Sequence, residues 1–370
     1  MQTKIKLLEF IKSNKDWEEI LSEKPYGLKI KRDSGFIMFS YSQIESDFNL
    51  ELVREARGII FNESTWECVC YPFSKFGNYG ESYVPEIDWE SARIFEKLDG
   101  SLIKLWFYKQ ANTWVVSTNG TISADKAELM EDVARPKHIN NYGELFLDGA
   151  ERSGLKWNIL NKDYCYMFEV VSPWNRIVVP YDKTQVFHIG TRNMITLEEV
   201  YEDIGVLKPL EYQFGSLDEC ILNSEHLPFS QEGYVVQDKN FNRVKVKSVQ
   251  YVAAHHLRGN GQVTMKRIIE MCLITKEQEE FLTYFPEYES YFADVLGRLA
   301  EAERSTEGAR INIEKNPEAF PTRKKLAEYI IKKTTMPSFM FAWYDGKVKT
   351  LEEWFSLQTS EKVARQLGYD

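Results

Sequence analysis

This chain has few cysteines, no metal-binding motif built from histidine and no long apolar run. It contains five cysteines, an odd number without a C-x-x-C pair, which excludes a complete disulfide framework and offers no zinc-site spacing. Its five histidines form no H-E-x-x-H pattern. No apolar run approaches the roughly 20 residues of a membrane-spanning helix, and the N-terminus lacks a signal-peptide core and cleavage site. We therefore expect a cytoplasmic protein without a membrane segment, and no protein partner is evident.

Two common nucleotide-binding motifs are also missing. The chain has no G-x-x-x-x-G-K-[ST] sequence and no G-x-G-x-x-G after a strand, which disfavours a P-loop NTPase and a dinucleotide dehydrogenase. Its net charge of −10 argues against indiscriminate binding to nucleic acid, although a local basic groove remains compatible with that charge. With 370 residues, 43% of them hydrophobic, the chain is long enough for two domains with full cores.

The segment 95–103 (Phe-Glu-Lys-Leu-Asp-Gly-Ser-Leu-Ile) contains the most informative lysine. Lys97 precedes an Asp-Gly-Ser turn, and β-type sequence lies on both sides. Gly100 would let a ligand approach the backbone closely. Taken alone, this pattern fits equally well a hairpin with a solvated lysine.

Two carboxylates and two further lysines occupy strand-like segments downstream. Glu169 lies within an apolar strand, where a carboxylate without a partner is costly, so a site is the favoured interpretation. Glu232 opens another β-type run. Lys245 and Lys247 are two residues apart in a strand and therefore share one face. Opposite an acid and a lysine, this pair would form a clamp for a polyphosphate.

Upstream, two arginines come just before an apolar strand, and a third cation lies in an aromatic loop. Arg54 and Arg57 precede the strand, and Lys75 lies between Phe73 and Phe76. Aromatic rings interleaved with a cation suit nucleotide stacking with phosphate contact, while core packing is an equally good interpretation for each phenylalanine.

These residues suit nucleophilic catalysis by a lysine on a phosphate. A free lysine, with a pKa of ~10.4, is protonated at neutral pH and cannot attack. We expect Arg57, Lys245 and Lys247 to lower the pKa of Lys97, because neighbouring cations disfavour a further positive charge. Glu169 and Glu232 offer the hard oxygen ligands that Mg²⁺ prefers.

Together these motifs resemble the covalent nucleotidyltransferases, which include polynucleotide ligases and mRNA capping enzymes, and most of all the phage-type RNA ligase 1 family. The resemblance extends over residues 35–255, and the order of the motifs is far more specific than any one of them. The segments that carry it are Phe39–Tyr41, Arg57–Ile59, Lys75–Asn78, Lys97–Ser101, Phe168–Val170, Pro173–Val178, Glu232–Val236, Val244–Lys247 and Ser248–Val252.

The resemblance implies an α+β fold, with a nucleotidyltransferase domain of ATP-grasp-like antiparallel sheets at residues 1–254 and a mostly helical, RNA-binding domain at 255–370. It implies an ATP-dependent RNA ligase that joins 5′-phosphate and 3′-hydroxyl ends through a lysyl-AMP and an RNA-adenylate. RNA repair, including repair of broken transfer RNA, would be its role. ATP and Mg²⁺, or Mn²⁺, would be required.

The resemblance also implies roles for individual residues. Lys97 would be adenylylated, and Asn119 stands where the family's best-known member carries a lysine near the nucleotide. Arg54 receives no role, and Tyr251 matches a family tyrosine for which the residues suggest no role. The remaining assignments are ATP contacts for Tyr41, Arg57, Lys75 and Gly100, ribose or metal for Glu169, metal for Glu232, and phosphates for Lys245 and Lys247.

Two alternatives remain open at this point. One keeps the covalent chemistry and changes the substrate, as in a DNA ligase or a GTP-using capping enzyme. The other is a non-catalytic protein that binds RNA ends on the same fold. The residues after 255 predict helices, with a helix at 287–304 interrupted at 304–308, a small hairpin at 339–348 and a linker at 255–261. A group of C-terminal cations (Arg323, Lys324, Lys325, Lys332, Lys333) predicts either a solvated helix face or an RNA-facing stripe.

Overall fold

A computed structural model describes residues 4–129, 135–259, 263–275 and 277–369. The chain forms two compact units, Met1–Ala253 and Ala254–Asp370. The first combines three antiparallel sheets with short helices, and the described part of the second is helical. The predicted α+β class, with antiparallel sheets followed by a helical region, is confirmed.

The first sheet has four strands in the order β1–β2–β3–β4. The hairpin of β1 and β2 turns at Ser34 and Gly35, which both have positive φ, as a two-residue hairpin turn of this kind requires. Helices α1, α2 and α3 contribute to the apolar cluster on one face of this sheet. The bounds are β1 Lys29–Asp33, β2 Phe36–Ser40, β3 Arg57–Asn62, β4 Cys68–Cys70, α1 Lys6–Ser13, α2 Trp17–Ser22 and α3 Glu51–Glu55.

The second and third sheets hold the predicted lysine and carboxylate segments. The second has the order β10–β9–β8–β6–β7 and packs against helix α4; the third has the order β11–β5–β12–β13. Their bounds are β5 Arg93–Glu96, β6 Ser101–Tyr108, β7 Thr113–Thr118, α4 Tyr142–Arg152, β8 Tyr164–Val171, β9 Gln185–Asn193, β10 Glu199–Val200, β11 Glu211–Tyr212, α5 Leu217–Glu225, β12 Gly233–Gln237 and β13 Arg243–Lys247.

The segment between β5 and β6 is a crossing between two sheets, so the hairpin interpretation of residues 95–103 is wrong. β5 pairs with β12 in the third sheet, whereas β6 pairs with β7 and β8 in the second. Gly100 is needed here for close approach to protein backbone: a Cβ atom on it would lie 2.3 Å from the carbonyl oxygen of Val170. Lys97 therefore lies where the two sheets meet.

The second unit consists of helices, and three local predictions fail there or at its start. Helix α9 continues through the interruption predicted at 304–308, and helix α11 replaces the predicted hairpin. Helix α6 runs to Arg258 in place of a linker that begins at residue 255, and residues 260–262 lie outside the described ranges. Helix α6, Val249–Arg258, begins before the second unit, and the α-helices described after it are α7 Met265–Glu270, α8 Gln278–Tyr284, α9 Glu289–Lys315, α10 Arg323–Lys333, α11 Pro337–Tyr344, α12 Leu351–Ser356 and α13 Ser360–Gln366.

Helix length and polarity bear on the membrane prediction. Within the described ranges, none of the helices combines the length and the apolar character needed to cross a bilayer.

A buried carboxylate from another element caps the first helix of the chain. Glu55 is 3% exposed, and its side chain accepts hydrogen bonds from the backbone N–H groups of Lys6 and Leu7. Those two groups belong to the first turn of α1 and have no partner within the helix. Ile5, the residue before the helix, has no side chain able to cap it. Burial raises the pKa of Glu55 to about 7, against these hydrogen bonds, which favour the charged form.

We expect Glu55→Ala to lower the free energy of unfolding by about 2 kcal/mol, because it removes both caps and opens a small cavity. Glu55→Gln, which keeps an acceptor oxygen, should lose less. Urea unfolding of the two variants, with the exposed Glu45→Ala as a control, measures the difference. Equal stability of the wild type and Glu55→Ala would show that the cap contributes nothing.

Candidate active site

Glu232 holds two of the predicted lysines at the junction of the sheets. Its carboxylate is 4% exposed, and one oxygen lies 2.6 Å from Lys97 Nζ while the other lies 3.0 Å from Lys247 Nζ. A buried carboxylate is stable only when it is paired and hydrogen-bonded. The three side chains thus form one buried ionic group, with Lys97 on its cavity side.

Strand pairing in the third sheet brings these residues together. β5, which ends just before Lys97, pairs with β12, and β12 pairs with β13, so Lys247 lies opposite Gly233. The Lys97 N–H also donates to the carbonyl of Gly233 at 2.8 Å. Gly233 has a φ of +135°, and a Cβ atom there would lie 2.1 Å from the carbonyl oxygen of Val246. Only glycine therefore fits at the first position of β12, next to Glu232.

The charge state of Lys97 differs from the sequence-based expectation. Burial lowers the pKa of Lys97, but Glu232 and Glu169 raise it by more, and the net pKa lies above its ordinary value. The prediction that neighbouring cations lower this pKa is wrong for this state of the protein, because the carboxylates act more strongly on Lys97 than the cations do. In this state Lys97 is an ammonium ion.

The two predicted carboxylates differ from each other. Burial raises the pKa of Glu169 to about 7, with Lys97 opposing the rise and Glu232 adding to it. One of its oxygens accepts the N–H of Gly100 at 3.2 Å. Burial also acts to raise the pKa of Glu232, but Lys97 and Lys247 lower it to below the ordinary value. Glu169 therefore exchanges a proton near neutrality, while Glu232 stays ionised.

A cavity of about 610 Å³ opens beside Lys97 and Glu169. Arg57 lies against the rings of Phe73 and Phe76, at 4.7 and 5.3 Å from its guanidinium carbon to the ring centres. Two nitrogens of this buried guanidinium, Nε and one terminal nitrogen, have no hydrogen-bond partner in the protein. Phe73 and Phe76 belong both to the core and to the cavity wall, since each ring packs in an apolar cluster and also lines the cavity. The cavity wall therefore presents an unpaired cation between aromatic rings.

Two more lysines carry pKa values below the ordinary range. Burial, with Arg57 as the leading charge, lowers the pKa of Lys245 to about 6 and that of Lys75 to about 8. Among the described residues no carboxylate lies within 4 Å of the Lys245 amine, which lies 4.9 Å from the ring centre of Phe76. The site thus brings the Arg57 guanidinium close to two amines that have no described carboxylate within 4 Å. A polyanionic ligand would favour the charged forms of both amines.

Asp99, which the sequence analysis assigned only to a turn, anchors the lysine segment. It is 2% exposed and accepts hydrogen bonds from the N–H groups of Val178 and Val179 and from the hydroxyl of Tyr251, at 2.7 to 2.8 Å. The Asp99 N–H donates to the Tyr181 hydroxyl. The bond to Asp99 gives a structural role to Tyr251, for which the sequence suggested none. Sequence reasoning missed Asp99 and Tyr181. The Lys-x-Asp-Gly spacing contained a signal for Asp99, whereas nothing marked Tyr181.

The remaining predicted residues fall into three places. Gly100 and Asn119 line the cavity, and the side-chain oxygen of Asn119 is buried without a partner. Tyr41 lies beside Lys75, with 5.0 Å from the amine to the ring centre. Arg54 donates to the carbonyls of Phe48 and Asn49 and is not among the cavity-lining residues, so it supports a loop.

Few side chains of the site could bind a divalent cation. Within the described part of the chain, no group of three or more His, Cys, Asp or Glu side chains could hold a metal ion. Mg²⁺ commonly uses one or two carboxylates together with waters and substrate phosphates. Glu169, on the cavity wall, fits that pattern, while both oxygens of Glu232 are engaged by lysines.

Comparison with known proteins finds similarity in the part of the chain that contains these site residues. A family model described as RNA ligase matches residues 55–251, just over half of the chain. An RNA ligase of Rhodothermus phage RM378 is 29% identical over 48% of this chain and 46% of its own length. A protein of Autographa californica nuclear polyhedrosis virus, whose name joins polynucleotide kinase and RNA ligase, is 29% identical over 72% of this chain and 40% of its own length. The chain thus matches less than half the length of these relatives.

Solved structures show a more distant likeness. An archaeal ATP-dependent RNA ligase is 12% identical, with a TM-score of 0.42 and coverage of 95% of this chain and 86% of that one. A Naegleria gruberi RNA ligase with ATP and Mn is 12% identical, with a TM-score of 0.34 and coverage of 45% and 52%. At this level of similarity, those structures do not define residue roles in the present chain.

We expect Lys245→Met to stabilise the protein, by roughly 1–3 kcal/mol at pH 6, because it removes a buried polar group without a counter-ion. The folded-state pKa of about 6 lies below the unfolded value, so the wild type loses stability as pH falls toward 6. The gain should therefore shrink between pH 6 and pH 10. Urea unfolding across this range, with exposed Lys109→Met as the control, tests it; a less stable Met variant at pH 6 would contradict it.

We expect Tyr251→Phe to lower the free energy of unfolding by about 1–3 kcal/mol, because the buried Asp99 carboxylate loses a hydrogen-bond donor. The variant keeps the ring and its packing. Chemical unfolding measures the loss, and Tyr79→Phe, at an exposed position, serves as the matched control. If both tyrosine variants unfold at the same urea concentration as the wild type, the Asp99 contact is not stabilising.

Proposed function

This chain belongs to the phage-type RNA ligase family, and from that premise we propose that it is an ATP-dependent RNA ligase in which Lys97 carries the nucleotide. The observation that supports this most directly is the position of the Lys97 amine. It lies 2.6 Å from Glu232, on the wall of a cavity that unpaired cations also line.

The proposed first step transfers AMP to Lys97. The Lys97 ammonium first gives its proton to solvent, once the ligand has weakened the ion pair with Glu232, and Glu232 itself stays ionised. The neutral amine attacks the α-phosphorus of ATP, a nitrogen–phosphorus bond forms, the bond to the departing pyrophosphate breaks, and the nitrogen releases a second proton to solvent. The amine must lose its proton first, because an ammonium has no lone pair with which to attack.

The second and third steps use the lysyl-AMP. An oxygen of an RNA 5′-phosphate attacks the AMP phosphorus, which releases Lys97 and yields an RNA-adenylate. A 3′-hydroxyl then attacks the activated 5′-phosphate, a phosphodiester forms and AMP leaves. In each of these two steps one phosphorus–oxygen bond forms as another phosphorus bond breaks. The departing Lys97 nitrogen takes up a proton and the attacking 3′-hydroxyl gives one to solvent, so no oxidant or reductant is required.

The cations would bind and orient the triphosphate. Arg57, Lys75, Lys245 and Lys247 supply positive charge that stabilises the added charge on phosphorus as the amine attacks. A bound Mg²⁺ or Mn²⁺, held by Glu169 with substrate oxygens, would neutralise charge on the pyrophosphate. Glu232 would join this set only after it releases Lys97. The aromatic ring of Tyr41, beside Lys75, completes the nucleotide contacts that we propose.

RNA with 5′-phosphate and 3′-hydroxyl ends is the substrate class that we propose, with broken transfer RNA as one candidate. The first unit would carry the adenylyltransferase chemistry and the helical second unit would contact RNA. The cations on one helix of that unit, including Arg323 and Lys332, would contribute to the contact. A cytoplasmic setting, in which RNA repair takes place, completes the proposal.

The DNA ligase and capping-enzyme alternatives receive less support from the second unit. The described residues after Arg258 form helices and irregular connections, without a strand, and so contain no β-rich oligonucleotide-binding domain. The non-catalytic alternative does not explain why an amine, two carboxylates and two strand lysines occur together.

We expect wild-type protein incubated with α-³²P-ATP and Mg²⁺ to carry a label that survives denaturation, and we expect Lys97→Ala and Lys97→Arg to carry none. The arginine variant keeps a positive charge next to Glu232 but cannot supply the amine. Chelation of the metal should also abolish labelling. Gel electrophoresis under denaturing conditions, followed by peptide mapping, measures the result.

Exposed Lys162→Ala is the matched lysine control and should label like the wild type. Label retained in Lys97→Ala would refute the assignment of the nucleophile. Labelling with α-³²P-GTP in preference to ATP would favour the capping alternative, and sealing of DNA ends in preference to RNA ends would favour the DNA ligase alternative.

A further inference from the structure

A lysine that takes no part in the chemistry described above is buried directly behind the nucleotide cavity. Lys104, on β6, is 0% exposed. Its amine donates to the backbone carbonyl of Gly58. No carboxylate among the described residues lies within 4 Å of it. A buried amine without a counter-ion costs free energy, so an apolar side chain would serve the core better.

The Lys104 amine shapes the backbone at the residue after Arg57. Gly58 has a φ of +79°, and a Cβ atom on it would lie 2.3 Å from Lys104 Nζ. The space beside the Gly58 α-carbon is therefore taken by the amine. The same Cβ position lies 3.1 Å from the backbone of Asn119. Lys104 thus bonds the residue that follows Arg57, and the backbone of Asn119 borders the same side of Gly58. Arg57 and Asn119 both line the cavity.

Both cavity-lining residues carry polar atoms that the protein leaves unpaired. Two guanidinium nitrogens of Arg57 and the side-chain oxygen of Asn119 are buried without a hydrogen-bond partner. Arg57 lies against the faces of Phe73 and Phe76, and its two unpaired nitrogens make no hydrogen bond that would orient the guanidinium plane. A ligand that satisfies these atoms requires the backbone behind them to be held in place. The bond from Lys104 to Gly58 provides that restraint.

The electrostatic environment of Lys104 also links its amine to Arg57. Burial lowers the pKa of Lys104, and Arg57 lowers it further, while the buried thiols Cys70 and Cys165 act in the opposite direction. The amine and the guanidinium therefore influence each other electrostatically. A polyanion in the cavity would act on both groups together.

We propose that Lys104 is a positioning residue for the nucleotide: through its bond to Gly58 it fixes Arg57, and its buried amine strengthens binding of the triphosphate without contacting it. This inference rests on the proposed function, because it takes the cavity to be the ATP site. Lys104 acts through Arg57, so its effect on binding depends on the presence of the guanidinium.

A double-mutant cycle tests this dependence. We expect Lys104→Met to weaken binding of α,β-methylene-ATP, an analogue that cannot transfer AMP, by about tenfold in the otherwise wild-type protein. In an Arg57→Gln background the same substitution should weaken binding by no more than about twofold. Titration calorimetry of the four proteins measures both effects. Equal weakening in the two backgrounds would overturn the proposal.

Two further variants separate positioning from stability. Ser117 faces Lys104 across the β6–β7 pair and is buried, so Ser117→Ala should lower stability and leave the analogue affinity unchanged. If Lys104→Met does not fold, Lys104→Gln, which keeps a donor, replaces it in the cycle. A wild type that neither binds the analogue nor labels with ATP would refute the proposed function itself, whereas binding with additive effects would refute only the inference about Lys104.

Discussion

The pairing of one buried carboxylate with two lysines is the interaction on which this site depends. Glu232 is almost fully buried and is charged because Lys97 and Lys247 lie against its two oxygens. Removal of charges from water is expensive, and mutual attraction repays the cost only when the geometry is good. The group therefore fixes the position of Lys97 and also keeps it protonated. Any ligand that makes the amine reactive has to weaken this pairing first.

The segment that crosses between the two sheets positions Lys97 for this interaction. The lysine segment leaves the third sheet and enters the second, and Asp99 in its middle is bonded to Val178, Val179 and Tyr251. Two segments far from it in sequence, at 178–179 and at 251, thus hold one short connection. Such a network is stable only when all its members are satisfied. Gly100 completes it, since a larger residue would strike the backbone of β8.

The distribution of charge, and not its total, suits the site to an anionic ligand. The chain carries a net charge of −10, yet Arg57 and Lys245 line the cavity beside Lys97, and Lys75 lies within electrostatic reach of Arg57. Their mutual repulsion and burial lower the pKa values of both lysines. Binding of a polyphosphate would offset this repulsion. The free energy that the repulsion costs the unliganded protein would therefore contribute to the affinity for the ligand. Active sites commonly carry this trade between stability and function.

Local pattern alone was enough for the α+β class, for strand β13 and for the family. Strand periodicity placed Lys245 and Lys247 on one face, and the ordered motifs indicated the family, because both signals are contained in short stretches of chain. Tertiary structure decided what short stretches cannot encode. The segment at Lys97 has the composition of a hairpin turn, but its flanking strands pair with different sheets. The pKa of Lys97 is raised because Glu232, 135 residues away, acts on it more strongly than any cation does. Sequence determined which groups are present, and only the folded chain determined which of them are near enough to set one another's charge.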